Sequence, residues 1–218
     1  MSEFQYKKLE LSDIASIEQL QKIVVDTLDD ASILQPLNHD ELKNILNGNG
    51  RMLGAFVNEQ LIACRALLFP FEDEEEHLGL DAKAADLSRV LYQEVSFVLP
   101  TYRGYGLQRK LGERIMQLID PKAFDLVCAT VKPFNIASLK DKFGQNLVVV
   151  ALKLKYGGKL RYVFAKHLHE QIAVEAEEVV ICMSDIEKQQ QLLTQNYIGT
   201  KLTKLNDEWA ITYQLKKA

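Results

Sequence analysis

The sequence predicts a mixed α/β fold, an α+β arrangement around a mixed sheet. Three observations predict it. Apolar runs of strand length alternate with stretches whose apolar residues recur every three or four positions. Over residues 1–166 the order reads β-α-α-β-β-β-α-β-α-β-β. Gly, Asn and Pro fall at the junctions, where turn and cap chemistry needs them.

The elements follow in order. Phe4 to Leu11 reads as a first strand. Ser12 is placed to cap a helix carrying Ile14, Ile17, Leu20, Val24 and Leu28. Asn38 with Glu41 forms a capping box for a short second helix, ended by Gly48-Asn49-Gly50. Met52–Val57 and Leu61–Phe69 are strands around the turn Asn58-Glu59-Gln60. Residues 71–88 make an acidic connection with a helical piece near Ala82 to Leu87. Val90–Val98 is a strand and Gly104–Ile119 a helix with Leu107, Leu111, Ile115, Leu118 and Ile119 on one side. Leu126–Val131 is a strand stopped by Pro133, and Asn135 opens a helix to about Phe143. Leu147–Lys155 and Lys159–Lys166 form a hairpin around Gly157-Gly158.

After a break at His167 to Glu177, a βαββ extension follows. It comprises the strand Val179–Met183, a helix opened by a Ser184/Glu187 box and running to Gln195, and the strands Ile198–Leu205 and Trp209–Leu215. The expected domains are therefore 1–166 and a small extension 167–218, too short to stand alone and packed on the core or on a dimer partner.

Composition excludes several classes. Apolar residues make up 47% and charged residues 26%, which is globular rather than disordered. No run of 18 apolar residues is present, so no membrane helix is expected. Met1 to Lys7 lacks the apolar stretch of a leader, and a cytoplasmic location is expected. A net charge of −4 gives no electrostatic reason for nucleic-acid binding. Five of the acidic charges sit in Glu72–Glu76, so the rest is near neutral. Cys64, Cys128 and Cys182 are few, odd in number and set in apolar runs, which reads as buried, reduced thiols.

The chemistry concentrates between Tyr92 and Leu111. A strand runs into a short turn and then a helix entered through Gly104 and Gly106. Glycine lets a ligand approach the backbone closely. Successive N–H groups at a helix start, with the helix dipole, make an anion site. Arg103, Arg109 and Lys110 supply cations, and the expected ligand is a diphosphate. A P-loop is excluded because Gly157-Gly158-Lys159-Leu160 lacks the spacing and the hydroxyl, and a dinucleotide fingerprint because Arg109 stands where its third glycine belongs.

The string Val98, Pro100, Tyr102, Arg103, Gly104, Gly106 and Leu107 resembles the acetyl-CoA motif of the GNAT acyltransferase superfamily. The resemblance covers about 160 residues, with its specific motifs between Tyr92 and Ser138. It implies that acetyl-CoA is the cosubstrate. It places the diphosphate on the amides after Arg103, those of Gly104, Tyr105, Gly106, Leu107, Gln108 and Arg109, and the pantetheine arm along Ser96, Phe97 and Val98. The family's last glycine or alanine is Gln108 here, which keeps its N–H. Val131 to Ser138 resembles the family's next strand-to-helix element, whose asparagine contacts the arm; Asn135 and Ser138 fill those places, and Asn135 also reads as a plain N-cap.

Acyl transfer to an amine needs a proton acceptor, since a lysine-type amine has a pKa of about 10.4. Strand alternation sets Tyr92, Glu94, Ser96 and Val98 on one face and Leu91, Gln93, Val95 and Phe97 on the other. Glu94 is thus a carboxylate in an apolar strand, where burial would raise its pKa. The segment is similar to that of spermidine/spermine-type acetyltransferases, which implies Glu94 as general base; the alternative is a solvated or salt-bridged strand glutamate. The family's general acid is a tyrosine seven residues past the asparagine, a place held here by Lys142; the thiolate then takes its proton from water or from another residue, of which Tyr156 near the hairpin is a candidate, or needs no acid.

The expected acceptor is a small-molecule amine or a peptide. The runner-up function is a non-catalytic acyl-CoA sensor on the same fold. The acidic run Glu72–Glu76 reads as a solvated loop or as an attractor for a cationic acceptor. The cationic hairpin Lys153, Lys155, Lys159, Arg161 and Lys166 reads as a solvated face or an anion contact. His167 and His169 read as surface residues, Trp209 as a packing anchor, and no metal spacing is present.

Overall fold

The computed structural model describes residues 4–28 and 34–217. Of the stretch read for a leader, Met1 to Glu3 lie outside the described residues. The mixed α/β class holds, with ten strands and six α-helices among the described residues. The chain divides into two compact units, residues 1–70 with 91–120, and residues 71–90 with 121–218.

In the first unit, β1 (Gln5–Lys8), β2 (Gly50–Val57), β3 (Gln60–Leu68) and β4 (Val90–Val98) pair in that order, each antiparallel to the next. β1 is shorter than expected because the chain leaves the ladder after Lys8. A 3₁₀ turn at Leu11–Asp13 precedes α1 (Ile14–Asp26), and the cap is Glu10 with Asp13 rather than Ser12: the Glu10 N–H donates to Asp13 Oδ2 at 2.8 Å. The tight first turn moves the cap upstream. Ile14, Ile17, Leu20 and Val24 are buried as their spacing predicts. Asn38 and Glu41 form the expected capping box of α2 (His39–Asn44). Asn58 and Glu59 both take positive φ, 48° and 65°, the two-residue hairpin turn that suits a right-handed strand twist.

The second unit carries α3 (Leu78–Asp81), β5 (Leu126–Val131), α5 (Ile136–Gly144), β6 (Val148–Lys155), β7 (Lys159–His167), β8 (Val179–Cys182), α6 (Ile186–Thr194), β9 (Tyr197–Leu205) and β10 (Glu208–Leu215). Its strand order is β5-β7-β6-β9-β10-β8, with antiparallel neighbours throughout. Residues 167–218 fall in this unit together with 121–166. α6 is capped one residue later than expected, by Asp185, which accepts from the Lys188 N–H at 3.1 Å. Its Gln189 is fully buried. Gln189 Oε1 accepts from the hydroxyls of Tyr162 at 2.7 Å and Tyr213 at 3.0 Å, and Nε2 donates to the carbonyl oxygens of Met183 and Asp185 at 3.1 Å each. Burial raises the pKa of both phenols, so they stay neutral donors.

The helical piece of the acidic connection sits earlier than expected, at α3, because His77 caps it. Gly79 N–H donates to His77 Nδ1 at 3.0 Å. Nδ1 accepting assigns the ring proton to Nε2. Burial, and then the Lys155 charge, lower the His77 pKa from its ordinary value. The unfolded chain therefore takes up a proton at pH about 6.5 that the folded chain refuses. That stability is fully present above the unfolded value and is lost as pH falls through the lower folded one. The urea midpoint should drop as pH falls below about 6.5. His77→Asn, which keeps a capping acceptor but cannot titrate, should flatten the profile; an unchanged profile in that variant would exclude His77 as the cause.

Candidate active site

The first unit holds one continuous strand, turn and helix. β4 ends at Val98, a 3₁₀ turn spans Pro100–Tyr102, and α4 (Leu107–Met116) follows. The helix was expected from Gly104. It starts three residues later because Gly104 and Gly106 take left-handed φ of 84° and 70°, which no helix interior accepts. Gly106 is the N-cap and offers no side chain to the first turn. The first bond of the helix is from Lys110 N–H to Gly106 O at 3.0 Å. Among the described residues no acceptor meets the N–H groups of Leu107, Gln108 and Arg109. A Cβ built on Gly104 or Gly106 would meet nothing within 4 Å, so the space over the turn is open.

Cations and rings surround this turn. Arg103 is exposed on extended backbone, and Arg109 forms an exposed pair with Glu113 at 3.0 Å. Tyr105 is 54% exposed, and its ring lies 5.9 Å from that of Phe4. Lys110 Nζ sits 5.6 Å over the Phe4 ring, which fixes the amine beside the turn. Leu107 is buried beneath.

The face assignment along β4 is corrected by a bulge. Leu67 pairs with Gln93 but Arg65 pairs with Ser96, so Glu94 and Val95 together stand opposite Ala66. Strict alternation breaks at that point. Gln93, Ser96 and Val98 share the face of Arg65, whereas Tyr92 and Phe97 share the face of Cys64. Tyr92 and Ser96 were expected on one face and lie on opposite faces. Glu94 stands in the bulge itself and is exposed, so the expected burial of its carboxylate is not met. Phe97 is buried and Val98 half-buried. The Ser96 hydroxyl is buried with no hydrogen-bond partner among the described residues.

Sequence reasoning missed Arg65. It is 1% exposed on β3, its Nη1 donates to Gln108 O at 3.1 Å, and its Nη2 donates to Gln93 Oε1 at 2.6 Å. The signal was an arginine inside the apolar run Leu61–Phe69.

The second unit holds Asn135 and Ser138. Asn135 Oδ1 accepts from the Ser138 N–H at 3.2 Å as the N-cap of α5, after Phe134 takes a φ of 66°. Lys142 is buried on α5, 3.4 Å from Asp141. Tyr156 takes a φ of 52°, and its hydroxyl lies 3.4 Å from Thr130 Oγ1 on β5.

The acidic run and the cationic hairpin, expected as separate solvated features, bind each other. Tyr156 N–H donates to Glu76 Oε2 at 2.6 Å. Lys155, 3% exposed, donates to Glu76 O at 2.7 Å and to Asp81 at 3.0 Å, and Lys153 meets Asp81 at 2.6 Å. Glu72, Asp73 and Glu75 remain exposed. Cys64 and Cys128 are fully buried, and burial pushes the Cys64 thiol up to about 12 and raises Cys128 as well, so neither presents a ready thiolate. Cys182, expected buried, is only half-buried. No cluster of metal-ligating side chains occurs and no helix is long and apolar enough to cross a membrane, among the described residues.

No protein-family model matches the sequence, and no curated protein matches it by sequence. Solved structures do match the fold. yncA of Salmonella typhimurium, solved with its cofactor acetyl-CoA, is 16% identical and covers 80% of this chain and 99% of its own, with a TM-score of 0.56. An acetyltransferase of the GNAT family from Streptococcus pneumoniae is 18% identical, covering 76% of this chain and 99% of its own at a TM-score of 0.56. The ribosomal-protein-S18-alanine N-acetyltransferase of Escherichia coli is 11% identical, covering 78% and 96% at 0.54. The fold is that of the GNAT acetyltransferases.

Proposed function

We propose that this chain is an acetyl-CoA-dependent N-acyltransferase acting on a small-molecule amine or a peptide, with residues 1–166 as the catalytic domain and 167–218 as an extension of it. One observation carries the reading: the turn from Gly104 to Arg109, with its two left-handed glycines and outward first-turn amides, on a fold shared with a protein solved with acetyl-CoA. The diphosphate lies on this turn, flanked by Arg103 and Arg109. The pantetheine arm follows Ser96, Phe97 and Val98.

Glu94 is the general base. The acceptor ammonium gives a proton to its carboxylate, directly or through water. The neutral nitrogen attacks the thioester carbonyl carbon, the C–N bond forms and the C–S bond breaks. The thiolate leaves, the attacking nitrogen sheds its second proton to water, and the thiolate takes a proton from that same water. An exposed carboxylate fits a water-relayed transfer. The position held by Lys142 favours a second reading, a module that binds acyl-CoA without turnover.

The test starts with calorimetric titration by acetyl-CoA and by desulfo-CoA, with 3′-dephospho controls, followed by an amine panel with thiol-release detection. Micromolar acetyl-CoA binding is expected. Glu94→Gln should lose about tenfold or more in turnover with affinity retained. No binding up to millimolar concentration removes the coenzyme reading; binding without turnover across the panel favours the module.

A further inference from the structure

We infer that Arg65 is a positioning residue for the diphosphate turn: from inside the core, its guanidinium fork holds the first turn of α4 and the strand beside the β4 bulge in one geometry. The inference rests on the coenzyme reading above. Arg65 is the largest of the fully buried side chains. A buried guanidinium is costly to keep, and it remains charged at any working pH. Its two donors reach two different elements. Nη1 holds the carbonyl of Gln108, in the middle of the first turn of α4, and Nη2 holds the side chain of Gln93, immediately before the bulge.

The consequence for the turn is directional. Within a helix the peptide N–H and C=O groups point to opposite ends. Fixing the Gln108 carbonyl therefore fixes the orientation of the peptide planes through the first turn and holds its N–H groups outward. Gly106 cannot do this, because it caps the helix with no side chain and sits at a φ that leaves its own backbone permissive. The fork also sets a positive charge beneath the amides that face the anion, where a low dielectric strengthens it. Gln108, the residue that departs from the family's small one, takes part through its carbonyl, which any residue type supplies.

The experiment compares the parent with Arg65→Lys, which keeps charge but loses the planar fork, and with Gln93→Met, which removes one acceptor and leaves the guanidinium. Calorimetry uses two probes: acetyl-CoA, and ADP, which carries the diphosphate without the pantetheine arm. Arg65→Lys should weaken both by about tenfold and by a similar factor, and Gln93→Met by about threefold. A folded Arg65→Lys that binds both as the parent does would overturn the inference. So would a loss for acetyl-CoA that ADP does not share, since the effect would then lie in the arm and not in the turn. If Arg65→Lys does not fold, Gln93→Met decides alone by the same two criteria. A parent that binds neither probe overturns the coenzyme reading itself, and the inference with it.

Discussion

Gly106→Val should lower acetyl-CoA affinity about a hundredfold, the loss of several charge-assisted amide contacts at once. Gly106 has a φ of +70°, where a β-branched residue is strained by about 1–2 kcal/mol. Nothing of the protein lies within 4 Å of a Cβ at this position, so the substitution creates no clash. The chain relieves the strain by rotating φ, which swings the amides of Leu107 to Arg109 away from a shared target. Stability should suffer little, with melting lowered by only a few degrees. Gly144→Ala is the control, because its Cβ also meets open space and its φ is not left-handed. Calorimetry beside thermal melting makes the comparison; a folded Gly106→Val with parental affinity would rule the turn out as the coenzyme site.

Asp81→Leu should destabilise the chain by about 3–5 kcal/mol, because it strands the buried Lys155 ammonium. The Asp81 and Lys155 side chains are 8% and 3% exposed, and their contact spans 3.0 Å. Lys153 is half in solvent and loses little. The double variant Asp81→Leu/Lys155→Met removes both charges and should recover most of the loss, since an apolar pair of similar volume fills the same space. Urea unfolding measures all three. A double variant no better than Asp81→Leu would mean that packing, and not the stranded charge, sets the cost.

The sequence was most legible where a short window carries the whole cause. The Asn38 capping box, the Asn58-Glu59 turn, the Asn135 cap and the two-glycine entry to α4 each depend on a few adjacent residues, and each is found where its chemistry places it. The fold class followed from the order of such pieces. Errors of one or two residues arose where two polar groups compete for one cap, as Ser184 and Asp185 do, and α4 starts three residues late because Gly104 and Gly106 are left-handed. The β4 bulge was not legible. Glu94 to Val98 alternates well enough, and only the register of β3 shows that two residues face one. The pairing of the acidic run with the hairpin joins Glu76 to Tyr156 across 80 residues, a separation at which charge runs give no direction. Arg65 was visible only as an oddity, since its partners lie on other elements.

The Gln189 amide has a bearing on what the C-terminal extension is. Tyr162 comes from the hairpin before residue 167 and Tyr213 from the last strand, and one buried carbonyl oxygen serves both. Separating the pieces would break the Tyr162–Gln189 hydrogen bond, while the Gln189–Tyr213 bond stays within the later piece. Trimming residues 167–218 should therefore destabilise what remains, since they share one compact unit and a buried hydrogen bond with residues 121–166. Chain continuity is thus only one of the ties between them, and a gene split inside residues 168–178 should yield two fragments that reassemble through the buried Tyr162–Gln189 contact.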